Sequence, residues 1–162
     1  MNEVLQRIAL LIGEDGVQKL QQATVMIVGI GGVGSFSAES LARCGIGHLI
    51  LVDGDNIALS NLNRQIHATL SSVGQEKCSA MEDRIHSFQP DCLVTKYQLL
   101  YDKTKNDILF DHHIDFVIDA IDTISCKADL IESCIQRKIP FISCLGMANS
   151  CLLYTSPSPR DS

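Results

Sequence analysis

No stretch of about 18 apolar residues occurs in this sequence, so it offers no candidate membrane-spanning helix. The apolar stretch 8–12 is too short for a signal peptide and runs straight into Gly13, Glu14 and Asp15. Cysteine pairing is also missing. The 7 cysteines (Cys44, Cys78, Cys92, Cys126, Cys134, Cys144, Cys151) are odd in number, and no two stand in a C-x-x-C pair. That spacing argues against a zinc site and for buried free thiols in a reducing cytoplasm. Positive charge is in deficit: 13 Lys and Arg face 19 Asp and Glu, a net charge of −6. The balance argues against broad nonspecific nucleic-acid binding, though a local basic patch remains compatible with it. No internal repeat is visible. What remains is a 162-residue chain, 46% hydrophobic, which suits one domain with a real core.

Strand and helix patterns alternate along the chain. Residues 1–23 read as a helical segment with Leu10, Leu11, Val17 and Leu20 as its apolar positions. The β-branched run 24–28 reads as a buried strand, followed at once by glycines. A helix is expected over 35–44, with Phe36, Ser40 and Leu41 in register, ended by Gly45. Further strands are expected at 48–52, 93–99, 116–120 and 141–145, and further helices at 75–88, 103–110 and 126–137. The alternation predicts an α/β, Rossmann-like three-layer sandwich with a mostly parallel sheet and helices on both faces. Residues 151–162 break the pattern. Pro157 and Pro159 lack amide hydrogens and fix their own φ, so this stretch is expected to be a disordered or non-native tail.

Gly29-Ile30-Gly31-Gly32-Val33-Gly34 matches G-x-G-x-x-G between a predicted strand and a predicted helix, the context the motif requires. Such glycines let the backbone turn sharply and approach a phosphate, while the helix behind them offers free N–H groups and the positive end of its dipole. Ser35 can add a hydroxyl donor. Asp53, at the end of the second strand, can accept hydrogen bonds from a ribose. On this motif alone the default ligand is NAD.

The polar segment from Asp53 to Gln65, with Lys77 after it, shifts the reading toward ATP. Displacing pyrophosphate builds negative charge that fixed cations and Mg²⁺ must meet. Arg64 and Lys77 can supply the cations, and Asp122, just past the fourth strand, can hold the metal. Each has a plainer role available: a solvated loop arginine, a surface lysine on a helix, a helix-capping aspartate.

Gly29–Ser35 as GIGGVGS, Asp53–Asp55 as DGD, Ser60–Gln65 as SNLNRQ, and Lys77 resemble the adenylating enzymes related to ubiquitin-activating enzyme. The resemblance implies a ribose-binding Asp53, ATP contacts from Asp55, Asn61 and Arg64, a phosphate contact from Lys77, and Mg²⁺ on Asp122. It also implies that Arg7 reaches the ATP of a partner subunit, hence a homodimer. Asn63–Ala68 as NRQIHA and Val117–Thr123 as VIDAIDT, with Lys127 following, are closer to the branch that dehydrates threonylcarbamoyladenosine in tRNA. The activators of sulfur-carrier proteins, the alternative, tend to carry Thr-Asp-Asn around the position of Asp122. The implied chemistry is adenylation of a carboxylate with ATP, followed by ring closure, without an obligatory protein nucleophile; His67 can carry a proton, but the plainer reading is a structural loop residue. The implied partners are tRNA and sulfur-relay proteins; in the alternative, the partner is a small protein ending in Gly-Gly. The resemblance covers roughly residues 4–149, so residues 1–150 are expected to be the N-terminal, ATP-binding part of a longer protein. The tail resembles translated sequencing-adapter sequence.

Overall fold

A computed structural model describes residues 3–145. The elements are α1 (Gln6–Gln22), β1 (Thr24–Val28), α2 (Gly32–Arg43), β2 (His48–Val52), α3 (Lys77–His86), β3 (Leu93–Tyr97), α4 (Asn106–Leu109), β4 (Phe116–Asp119), α5 (Ile124–Arg137) and β5 (Phe141–Ser143). The five strands form one parallel sheet in the order β3-β2-β1-β4-β5. After β3 the chain crosses back over β2 and β1 to place β4 on the far side of β1. The crevice beyond the carboxyl ends of β1 and β4 is therefore the topological switch point, where ligands of such sheets bind.

β1 is buried along its whole length, as expected for a parallel strand covered on both faces. Its side chains alternate between two cores. Val25 and Ile27 join Ala38 and Ala42 of α2, Leu49 and Leu51 of β2, and Met81 and Ile85 of α3. Met26 and Val28 join Ile50 and Val52 of β2, Val117 of β4, and Leu130 and Cys134 of α5. Each fully buried Leu or Ile contributes about 1.5–3 kcal/mol. The layer of α2 and α3 is braced by Glu39, which receives hydrogen bonds from Arg43 and Arg84. Burial opposes the Glu39 charge, but the guanidiniums of Arg84 and Arg43 outweigh it and hold the carboxyl below its usual range.

Two helices depart from the sequence reading. α2 starts inside the glycine motif, and its buried face is Gly34, Ser35, Ala38, Glu39 and Ala42. Phe36 is half exposed and Ser40 is exposed, so the helix turns its small residues and Glu39 inward; at its start Gly34 lies too close to Gly29 for any Cβ. α1 is kinked at Gly13, which has φ +74°. Val17 packs inward, while Leu10 and Leu11 face outward at 86% and 82% exposure. Among the described residues no helix is long and apolar enough to cross a membrane. The expected tail, 151–162, lies outside the described residues.

Candidate functional site

The carboxyl edge of the sheet ends in one aligned row: Tyr97, Val52, Val28, Asp119 and Ser143. Gly29, Asp53 and Ala120 are the next residues out, so the register itself gathers the sequence motifs at this edge.

The four motif glycines divide into two pairs. Gly29 has φ +92°, and a Cβ there would stand 2.7 Å from the Ala120 carbonyl oxygen. At Gly34 a Cβ would fall 1.8 Å from the Gly29 oxygen. These two are glycines because the fold leaves no room. A Cβ on Gly31 would meet nothing within 4 Å, and one on Gly32 would only touch Arg64, at 3.5 Å and beyond. That pair borders open space. Gly31 is also the N-cap of α2 and supplies no side-chain acceptor, so the first-turn amides of the helix are left for a ligand or water.

Asp53 is buried and fixed. One oxygen accepts from Ile30 N at 2.7 Å and the other from Asp55 N at 2.8 Å. Lys77 opens α3, and its side chain is also buried. Its Nζ lies 2.6 Å from Asp55 Oδ2 and 3.5 Å from Asp53 Oδ1. Asp55 itself is 58% exposed. A buried ammonium thus stands at the strand edge with a solvent-facing carboxylate as its nearest partner.

The polar loop is built around Asn61, whose Oδ1 accepts from Ala58 N and whose carbonyl accepts from Arg64 N and Gln65 N. This turn presents Arg64 outward. The guanidinium is exposed and donates to Ser60 O at 2.8 Å, and the aliphatic stem lies against Gly32. Ser35 is buried beneath the loop, where its Oγ accepts from Ile66 N at 3.4 Å. Its hydroxyl is turned inward rather than toward the open glycines.

Asp122 is exposed and precedes α5, with Thr123 Oγ1 3.4 Å from its Oδ1. Among the described residues no three or more His, Cys, Asp or Glu groups gather as a metal cage. A lone exposed carboxylate fits Mg²⁺, which is commonly held by one or two carboxylates together with substrate phosphates. Arg7 is not brought to this edge. It is exposed near the start of α1, and its neighbour Leu5 packs on Gly45, just before β2, at the opposite edge of the sheet.

Two features go beyond the sequence reading. His67 is buried with both ring nitrogens unpartnered, and Gln65 Oε1 is likewise buried without a partner. Burial, then the charges of Lys77 and Arg84, lower the His67 pKa from 6.5 to about 4, so its ring is neutral at pH 7. The second feature is a buried cluster of Asp119, Lys127 and Ser143 at the ends of β4 and β5. In the sequence, Asp119 and Lys127 stand eight positions apart in and just after the VIDAIDT segment, and nothing joins Ser143 to them. Cys78, the cysteine beneath Asp53, is no thiolate: burial pushes its thiol up to about 12.

The ThiF family model matches residues 5–161 and so extends into the segment 151–162. The tRNA threonylcarbamoyladenosine dehydratase of Bacillus subtilis is 46% identical over 140 residues, covering 86% of this chain and 55% of that protein. The Escherichia coli dehydratase of the same name is 41% identical over 138 residues, covering 85% of this chain and 52% of that protein. The crystal structure of the E. coli dehydratase in complex with ATP superposes with a TM-score of 0.85 at 40% identity, covering 87% of this chain and 58% of that one. The chain therefore spans about half the length of the curated relatives it matches.

Proposed function

The chain belongs to the ThiF family, and we propose that it is the N-terminal, ATP-binding part of a protein that dehydrates threonylcarbamoyladenosine in tRNA. The observation that carries the ATP reading is Lys77, a buried ammonium at the strand edge whose nearest partner is an exposed carboxylate. Asp55 can return to water when a phosphate takes its place. A dinucleotide needs no such cation beyond the glycine loop. The two named dehydratases support the substrate reading.

In the reaction, a carboxylate oxygen of the modified nucleoside attacks the α-phosphorus of ATP. An O–P bond forms, the bond to the β-phosphate oxygen breaks, and pyrophosphate leaves. The carbamoyl group of the same nucleoside then attacks the activated carbonyl. AMP leaves with the former carboxylate oxygen, a proton is released, and the ring closes. The protein's task is positioning and charge stabilisation. Gly31, Gly32 and the first amides of α2 receive phosphate, Asp53 takes the ribose, and Arg64 and Lys77 meet the charge that grows on the leaving group. Asp122 would hold Mg²⁺, which draws negative charge from the phosphates. The protein is proposed to act in the cytoplasm as a homodimer in which Arg7, remote from its own glycine loop, serves the partner's site. Mixing Arg7→Ala and Lys77→Ala subunits should then restore part of the activity; no rescue would remove that role.

Pyrophosphate–ATP exchange by the full-length protein tests the main reading. Exchange should depend on tRNA carrying threonylcarbamoyladenosine. Exchange stimulated instead by a sulfur-carrier protein ending in Gly-Gly would favour a sulfur-carrier adenylyltransferase. Tighter binding of NAD than of ATP would sink both.

A further inference from the structure

We infer that Lys127 is a positioning residue for adenylation: it braces the turn 120–123, which abuts the glycine loop and carries Asp122, and it anchors the chain where it leaves β5. The inference rests on the adenylation reading above.

Lys127 ends the first turn of α5, and helical side chains lean toward the helix N-terminus, here the carboxyl edge of the sheet. Its Nζ donates to Asp119 Oδ2 at 2.8 Å, to Cys144 O at 2.9 Å and to Ser143 Oγ at 3.3 Å. All three ammonium protons are thereby used. Asp119 is 1% exposed and equally committed. Its Oδ2 also accepts from Ser143 Oγ at 2.6 Å, and its Oδ1 accepts from Ile121 N at 3.1 Å.

That last bond ties the cluster to the edge that bears the glycine loop. Ile121 is the middle of the turn between β4 and α5. On one side of it Ala120 presses its carbonyl against Gly29, with no room for a Cβ. On the other side is Asp122. An ion pair serving only to fill the core would be replaceable by apolar side chains at little cost. This one aims every donor at the ends of β4 and β5, and its carboxylate holds the amide beside Asp122.

The test uses the full-length protein at a temperature where circular dichroism shows each variant fully folded. Lys127→Met should lower kcat for pyrophosphate release tenfold or more while the ATP Kd moves less than twofold. Hydrogen exchange at the Ile121 amide should speed up at least tenfold, with the β1 amides unchanged. The double variant Asp119→Asn/Lys127→Met leaves no unpaired charge and carries the test if the single variant does not fold. It should show the same low kcat and the same fast Ile121 exchange. Recovery of kcat in the double variant would mean that charge compensation alone mattered and would overturn the inference. So would an unchanged Ile121 amide in either variant. If the wild type shows no tRNA-dependent adenylation, the functional reading has failed separately, and Ile121 exchange alone decides the structural claim.

Discussion

Lys77 and Lys127 are both buried, both sit near the start of a helix, and both point at the carboxyl edge of one sheet, yet they are held in opposite ways. Lys127 spends its donors on a carboxylate 1% exposed and on two groups at the end of β5. Lys77 makes one short contact, to an Asp55 that is 58% exposed, and a second at 3.5 Å. The difference is one of exchangeability. A partner facing solvent can be given up at small cost, whereas a fully desolvated one cannot. The β1–β2 half of the edge is arranged to change partners, and the β4–β5 half to stay as it is.

The two lysines should differ most in stability. Lys127→Met leaves Asp119 buried and short of its cation, an expected loss of about 3–5 kcal/mol. Lys77→Met should cost only about 1–2 kcal/mol, because Asp55 returns to water and Asp53 keeps its two amide donors. Urea melts of the two variants measure the gap. Equal losses would mean that Lys77 is as locked as Lys127.

Arg64 belongs to the exchangeable half. Its guanidinium is exposed and tied only to its own loop. Arg64→Ala should therefore leave stability within about 0.5 kcal/mol while raising the barrier to adenylation by about 2–4 kcal/mol. Single-turnover rates beside thermal melts decide the matter; parallel losses would make Arg64 a packing residue.

His67 lies under the exchangeable half, and its neutrality belongs to the same design. Burial, with the charges of Lys77 and Arg84, lowers its pKa from 6.5 to about 4. Above pH 6.5 the ring is neutral in both folded and unfolded chains and adds no pH dependence. Between pH 6.5 and 4 the unfolded chain takes up a proton that the folded chain refuses, so stability falls as pH falls. The loss attributable to His67 approaches about 3 kcal/mol near pH 4. His67→Leu should flatten that part of the stability profile. A slope unchanged by the substitution would show that the ring is charged in the fold.

Much of this was legible beforehand, for identifiable reasons. The bounds of β1 and β2 match the sequence reading because each is a five-residue run without a polar interruption at its centre. Asp53 was placed by its position after a strand. The buried face of α2 was not legible, since Phe36 is the more hydrophobic residue but Ala38, Glu39 and Ala42 are the ones that face inward. Leu10 and Leu11 announce an apolar surface without saying whether anything within the chain covers it. The Asp119–Lys127–Ser143 cluster depends on the pairing of β5 with β4, which spacing along the chain does not encode.

Within the glycine motif, ligand and fold make separate demands. Gly29 and Gly34 are fixed by contacts of the backbone with itself, so substituting either destabilises whatever the ligand. Gly31 is different: a Cβ there meets nothing within 4 Å. Gly31→Ala should therefore destabilise far less than Gly34→Ala. The added methyl stands where a phosphate would approach the first amides of α2, so ATP should bind about tenfold more weakly, a change of about 1.4 kcal/mol. AMP, which lacks the β- and γ-phosphates, should lose less. Calorimetry with ATP and AMP on Gly31→Ala, beside a melt of Gly34→Ala, measures both halves of the claim. If Gly31→Ala binds ATP like the wild type, the open glycine does not face the phosphates, and the triphosphate lies elsewhere along the edge.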